Sequence, residues 1–208
     1  GSPAAAPRPP GAPPAAAPAP GQPPPFATVI KDAKPTHGLF SVWQKDEKVW
    51  IELKPDDFDK PFFLSPKLRT GIGEARVFGG LMVGAPALVE FRRQHNVVQL
   101  VAINQQQVAQ AGTPEARAVA AAVSPSLLTA YPVGSQPHPD RKSVLVEANP
   151  MLLADVLGLG IQLQRTYRQN YGLDRANSAI TRVRGSAGEL IVEVQAHLDA
   201  ATLAQAAP

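Results

Sequence analysis

The sequence predicts an α+β domain: mainly antiparallel β hairpins and sheet, two or three helices against one face, and a disordered Pro/Ala-rich leader in front. Three observations carry this. Apolar and polar residues alternate in paired runs around short polar breaks, as in β-hairpins. Thr113-Pro114 and Asn149-Pro150 put a capping side chain directly before a proline, as at helix starts. Residues 1–25 are Pro, Ala and Gly apart from Ser2, Arg8 and Gln22. Such a segment holds no apolar side chain large enough to offset the entropy of ordering it.

Taken in order, the leader 1–25 is expected to be an extended, partly polyproline II tether. Gly1-Ser2 at its start is read as an expression scar. Residues 26–70 then form a small N-terminal β-hairpin domain. It opens with the short apolar run Phe26 to Ile30, and its hairpin spans 38–53 with the polar break at Lys45 to Lys48. On the second arm Val49, Ile51 and Leu53 share one face, while Lys48, Trp50 and Glu52 share the other, which is expected to look outward. Pro55-Asp56-Asp57 suits a single helical turn. Residues 61–70 read as an edge strand, because Pro66 has no place in a central one.

Residues 71–86 hold five glycines and form a Gly-rich loop. An α+β accessory domain is expected over 87–198, followed by a C-terminal tail, 199–208. Its first hairpin joins 87–92 to 97–103 through Arg93-Gln94-His95-Asn96. A helix is expected from Thr113 to about Val123, ending before Pro125. Residues 126–132 and 143–147 are short strands around the polar loop 134–142. A second helix starts at Asn149-Pro150, turns Leu152, Leu153, Val156 and Leu157 inward, and stops at Gly158. Ile161 to Tyr167 fits a helical turn or a strand. A last hairpin pairs 179–184 with 189–197.

Little in the chain resembles a reactive centre. There is no cysteine, which excludes disulfides and thiolate metal sites. His37, His95, His138 and His197 are never three or four residues apart, so no helix can present two imidazoles to one metal. No G-x-S-x-G elbow occurs. Gly71-Ile72-Gly73 begins like a dinucleotide loop, but Arg76 stands where the third glycine belongs. Asp56, Asp57 and Asp59 lack the spacing of a calcium loop and suit turns and caps. The formal charge is +3 with scattered basic residues, which argues against nucleic acid. No run approaches a membrane span. The candidate contact residues are therefore Trp50 on the hairpin and a patch of Tyr167, Arg168 and Tyr171 with Arg165. Near-helical spacing also suits simple packing of that patch.

Several segments together resemble the N-terminal, non-catalytic region of a family of large bacterial zinc-dependent metalloproteases with a zincin catalytic domain. Two small uncharacterised domains precede the catalytic one in that family. The first resembles residues 26–70, through Phe26 to Ala33, Gly38-Leu39-Phe40-Ser41-Val42-Trp43, Lys48 to Leu53 and Lys60 to Leu68. The second resembles residues 80–198, through Leu88 to Arg93, Leu127 to Val133, Ser143 to Glu147 and Leu173 to Ser178. The family's zinc helix, His-Glu-x-x-His with a further His downstream, has no match. The resemblance implies a fragment without catalytic activity or cofactor of its own. Zinc would belong to a downstream catalytic domain, and that domain would be the partner. A Pro/Ala tether is common in exported bacterial proteins, so a periplasmic or extracellular location is expected. The rival expectation is a stand-alone cell-envelope binding or assembly module that uses a sheet edge or the Gly-rich loop. A hydrolase with a scattered site is disfavoured, because no nucleophile has a visible base partner.

Overall fold

The computed structural model describes residues 21–67, 69, 86–103, 126–155, 160–161, 164–165, 168 and 170–200. The leader up to residue 20, most of the Gly-rich loop, the helix expected at 113–123 and the tail from residue 201 lie outside these residues.

The described fold is made of antiparallel strands, which corrects the α+β expectation. Strands β1 (Lys34–His37), β2 (Ser41–Lys45) and β3 (Lys48–Leu53) form a meander. Strand β4 (Phe62–Leu64) precedes the hairpin of β5 (Ala87–Gln94) and β6 (Val97–Ala102). Then come β7 (Ser126–Pro132), β8 (Val144–Glu147), β9 (Tyr171–Ser186) and β10 (Glu189–Ala200). They build two four-stranded sheets, ordered β1-β2-β3-β8 and β4-β5-β6-β7, and a two-stranded ribbon, β9-β10.

Helix is confined, among the described elements, to α1 (Phe26–Val29), a 3-10 turn at Pro55–Asp57 and α2 (Asn149–Leu152). Residues 160, 161, 164 and 165 are also helical. Among the described residues the two four-stranded sheets pack face to face. Val42, Val49, Ile51 and Leu53 from the first sheet, with Phe40 from the bend before β2, meet Val89, Phe91, Val98 and Leu100 from the second in one core. Phe40, Phe62 and Phe91 interlock across it, with ring centroids 5.1 to 5.4 Å apart. Ile180, Val183, Leu190, Val192 and Val194 pack the ribbon against the same core.

The hairpin β2–β3 forms as its alternation requires. Lys45 pairs with Lys48, so the turn is only Asp46-Glu47, and Asp46 takes a left-handed φ of 52°. The short strand β4 lies at a sheet edge, where the flanking Pro61 and Pro66 do no harm. One pairing joins distant parts of the chain: Trp50 opposes Glu147 and Leu53 opposes Val144, so β8 completes the first sheet.

Asn149 departs from its expected capping role. The N-cap position falls on Ala148, and no side chain caps this helix. Instead Asn149 Oδ1 accepts from the Val49 amide at 2.7 Å, and Asn149 Nδ2 donates to the Glu47 carbonyl at 2.6 Å. The side chain thus ties α2 to β3. Asn149→Ala is expected to cost about 1–2 kcal/mol, two partly exposed hydrogen bonds at roughly 0.5–1.5 kcal/mol each less some solvent compensation. A urea midpoint equal to that of the parent chain would contradict it.

Candidate functional site

The outer face of the first sheet carries both tryptophans and a buried carboxylate, Glu52. Trp43 of β2 lies directly opposite Trp50 of β3, and Ser41 opposite Glu52. The alternation predicted Lys48, Trp50 and Glu52 on this face, but only Lys48 of the three is exposed. Trp50 is 9 % exposed and Glu52 is 3 % exposed. The expectation of an outward Trp50 is therefore corrected.

Two segments supply the cover. The first is α1 with the residues around it: Phe26 packs with Trp50 and Leu145, while Val29, Ile30 and Trp43 close the edges of this cluster. The second is the loop between β7 and β8. Gly134 donates from its amide to Leu145 O at 2.7 Å, and buried Ser135 Oγ accepts from the Leu145 amide at 3.0 Å. Gln136 donates from its amide to Pro24 O at 2.8 Å, joining the two covers. Beside α1 a shallow depression remains, lined by Val29, Lys45, Asp46, Glu47, Lys48 and Trp50.

Glu52 is the centre of the polar network beneath. Its Oε2 accepts from Trp43 Nε1 at 2.9 Å. Its Oε1 accepts from Arg141 Nε at 2.9 Å and from Ser143 Oγ at 2.6 Å. Burial opposes its charge, but the Ser143, Trp43 and Arg141 hydrogen bonds and the Arg141 charge together outweigh it. They hold the carboxyl below its ordinary value. Among the described residues no buried side-chain nitrogen or oxygen lacks a partner. A carboxylate with both oxygens already taken by donors is suited to holding strands together, not to accepting a substrate proton.

The lowered value sets a sign. A depressed folded-state pKa contributes stability above the unfolded value of glutamate. That contribution is lost as pH falls from about 4.5 through the folded value. Glu52→Gln is expected to lower stability at pH 7, since the Arg141 charge loses its counter-charge, and to flatten the decline as pH falls below about 4.5. Urea midpoints at several pH values test this; parallel acid profiles for the two proteins would refute it.

Of the other predicted contact residues, the described ones, Arg168 and Tyr171, do not gather here. Tyr171 opens β9 and is half-buried. Arg168 is exposed and holds a left-handed φ of 55°. Tyr167 lies outside the described residues. The helical reading of this patch ends at Tyr171, which is strand. Sequence reasoning missed Phe26, His138 and Arg141. Phe26 carried a signal, as the first large apolar side chain after the leader. The other two stood in a polar loop with nothing to separate them from solvated residues.

His138 Nδ1 already accepts two backbone N–H groups, from Asp140 at 3.2 Å and Arg141 at 3.3 Å. No three of His, Asp and Glu come together in a metal-holding group among the described residues. Among those residues, too, no helix is long and apolar enough to cross a membrane. The model of a family described as a domain of unknown function, DUF5117, matches residues 80–200. No curated protein and no solved structure matches the chain.

Proposed function

The chain belongs to the DUF5117 family, and from that premise we propose that it is a non-catalytic accessory module of an exported bacterial zinc metalloprotease. In this reading it docks on a downstream catalytic domain, assists that domain's folding or shapes access to its cleft. The observation that carries the proposal is how Glu52 is used. The most deeply buried carboxylate of the described residues binds Trp43, Arg141 and Ser143, residues of β2 and of the loop before β8. Polar chemistry here serves cohesion between segments. The resemblance over residues 80–198 adds support, since it coincides in extent with the family match over 80–200.

Docking calls for a surface other than Trp50. The β9–β10 ribbon is better placed, because its strands are the longest of the described ones and Tyr171 and Arg175 lie at its open end. The test is a binding and activity measurement. Purified chain is expected to contain no stoichiometric zinc, to leave casein intact, and to bind a catalytic domain encoded downstream. Zinc at one equivalent with proteolysis from this chain alone would overturn the proposal. A reading frame that closes without a His-Glu-x-x-His segment would overturn the protease context.

A further inference from the structure

Phe26 begins a helix of only four residues, yet it is 2 % exposed. So short a helix has little stability of its own, and its position depends on what grips it. Below the ring lie Trp50 and Leu145. At its side, the His138 ring meets it edge-on with centroids 5.0 Å apart. The Arg141 guanidinium carbon stands 5.7 Å from its centroid. With the bond from Gln136 to Pro24, the grip on one side comes from the loop 136–143.

His138 in turn shapes that loop. Its amide donates to Ser143 O at 2.8 Å, and its carbonyl accepts from the Lys142 amide at 3.0 Å. Its Nδ1 accepts from the amides of Asp140 and Arg141. With both amides aimed at it, Nδ1 is placed as an acceptor, the role it has when the ring hydrogen is on Nε2. A second proton would turn that acceptor into a donor facing two donors. It would also add a cation beside Arg141 and Lys142, with Asp140 as the acid of the same loop.

The remaining charges nearby do not relieve this. Glu52 of β3 is engaged with Arg141, Ser143 and Trp43, and stays ionised below the range in which imidazoles titrate. α1 has no charged side chain. After it, Lys45 Nζ donates to Lys31 O at 3.1 Å and lies 4.0 Å from Asp32.

We propose that His138 is a pH-sensitive latch, and that protonating its ring frees the segment around Phe26 and uncovers Trp43 and Trp50. The sheet beneath survives, because its core lies on the opposite face. The device is independent of any protease context.

The chain has two tryptophans, and both lie under this cover, so intrinsic fluorescence reads the latch directly. Emission and iodide quenching would be followed from pH 8 to pH 5, with far-UV circular dichroism alongside. The expected result is a red shift and greater quenching with an unchanged dichroism spectrum. His138→Asn keeps a side-chain acceptor for the two amides and does not titrate; it is expected to stay blue-shifted throughout. Phe26→Ala at pH 8 is expected to reproduce the acid spectrum of the parent chain, and supplies the reading if the histidine variant does not fold. No shift in the parent chain, an identical shift in His138→Asn, loss of dichroism at the same midpoint, or buried tryptophans in Phe26→Ala would each overturn the proposal.

Discussion

Gly185→Ala is expected to pull the β9–β10 ribbon away from β1. A Cβ at Gly185 would fall inside contact distance of the His37 carbonyl oxygen and 3.0 Å from Gly38 Cα. A Cβ at Gly38 would meet the Glu189 carbonyl oxygen and lie 2.9 Å from Gly185 Cα. The two backbones cross here without side chains between them, and the Leu39 amide donates to Glu189 O at 3.1 Å across the crossing. A flexible side chain could swing aside, but a carbonyl fixed in a strand cannot. The cost is expected to reach or exceed the roughly 1–3 kcal/mol typical of overpacking, against a total stability on the order of 5–15 kcal/mol. Hydrogen exchange at the Leu39 amide and the urea midpoint report the outcome. A protected Leu39 amide together with an unchanged midpoint would show that the crossing can expand freely.

Leu53→Ala is the second large effect. Leu53 is fully buried, and it ends β3 where that strand pairs with β8 and faces the second sheet. Truncation removes transfer free energy and leaves a cavity between two sheets, under a strand hydrogen-bonded on both sides. Partial collapse at best puts the loss at about 2–5 kcal/mol. Urea unfolding should show a lower midpoint with the same slope. A loss under about 1 kcal/mol would mean that the space refills or that the two sheets are not pressed together there.

The sequence made local pairing legible and left remote pairing hidden. Val49, Ile51 and Leu53 announced their strand because alternation is a property of neighbours. Pro66 marked an edge for the same reason, and Pro55 a helical turn. The burial of Trp50 was not legible, since its cover comes from Phe26 and from the loop before β8. Nothing in the residues around Trp50 records that arrival. The ribbon was foreseen too short. Its register shifts between Glu193 and Val194 and again between Gln195 and His197, and each shift interrupts the two-residue period. The polar start of β9 also looked unlike a strand: Asp174 accepts from the amides of Ala176 and Asn177, a local turn-like use of the side chain inside extended chain. The fold class went wrong at the same level. The Asn149-Pro150 pattern led only to the four-residue α2, and what covers a sheet face is decided by tertiary packing.

The pairing of β8 with β3 also has a consequence in time. Trp50 cannot meet Glu147 until the ribosome has made the whole of the second sheet. At about 5–20 residues per second, that delay is on the order of ten seconds. Throughout it the β3 edge stands open, next to two tryptophans, as a template for any extended strand nearby. Non-local pairing of this kind also slows folding itself. The nascent chain is therefore most vulnerable between its first hairpin and residue 147, and a holdase that shields a single β edge during that interval would raise the yield of folded protein.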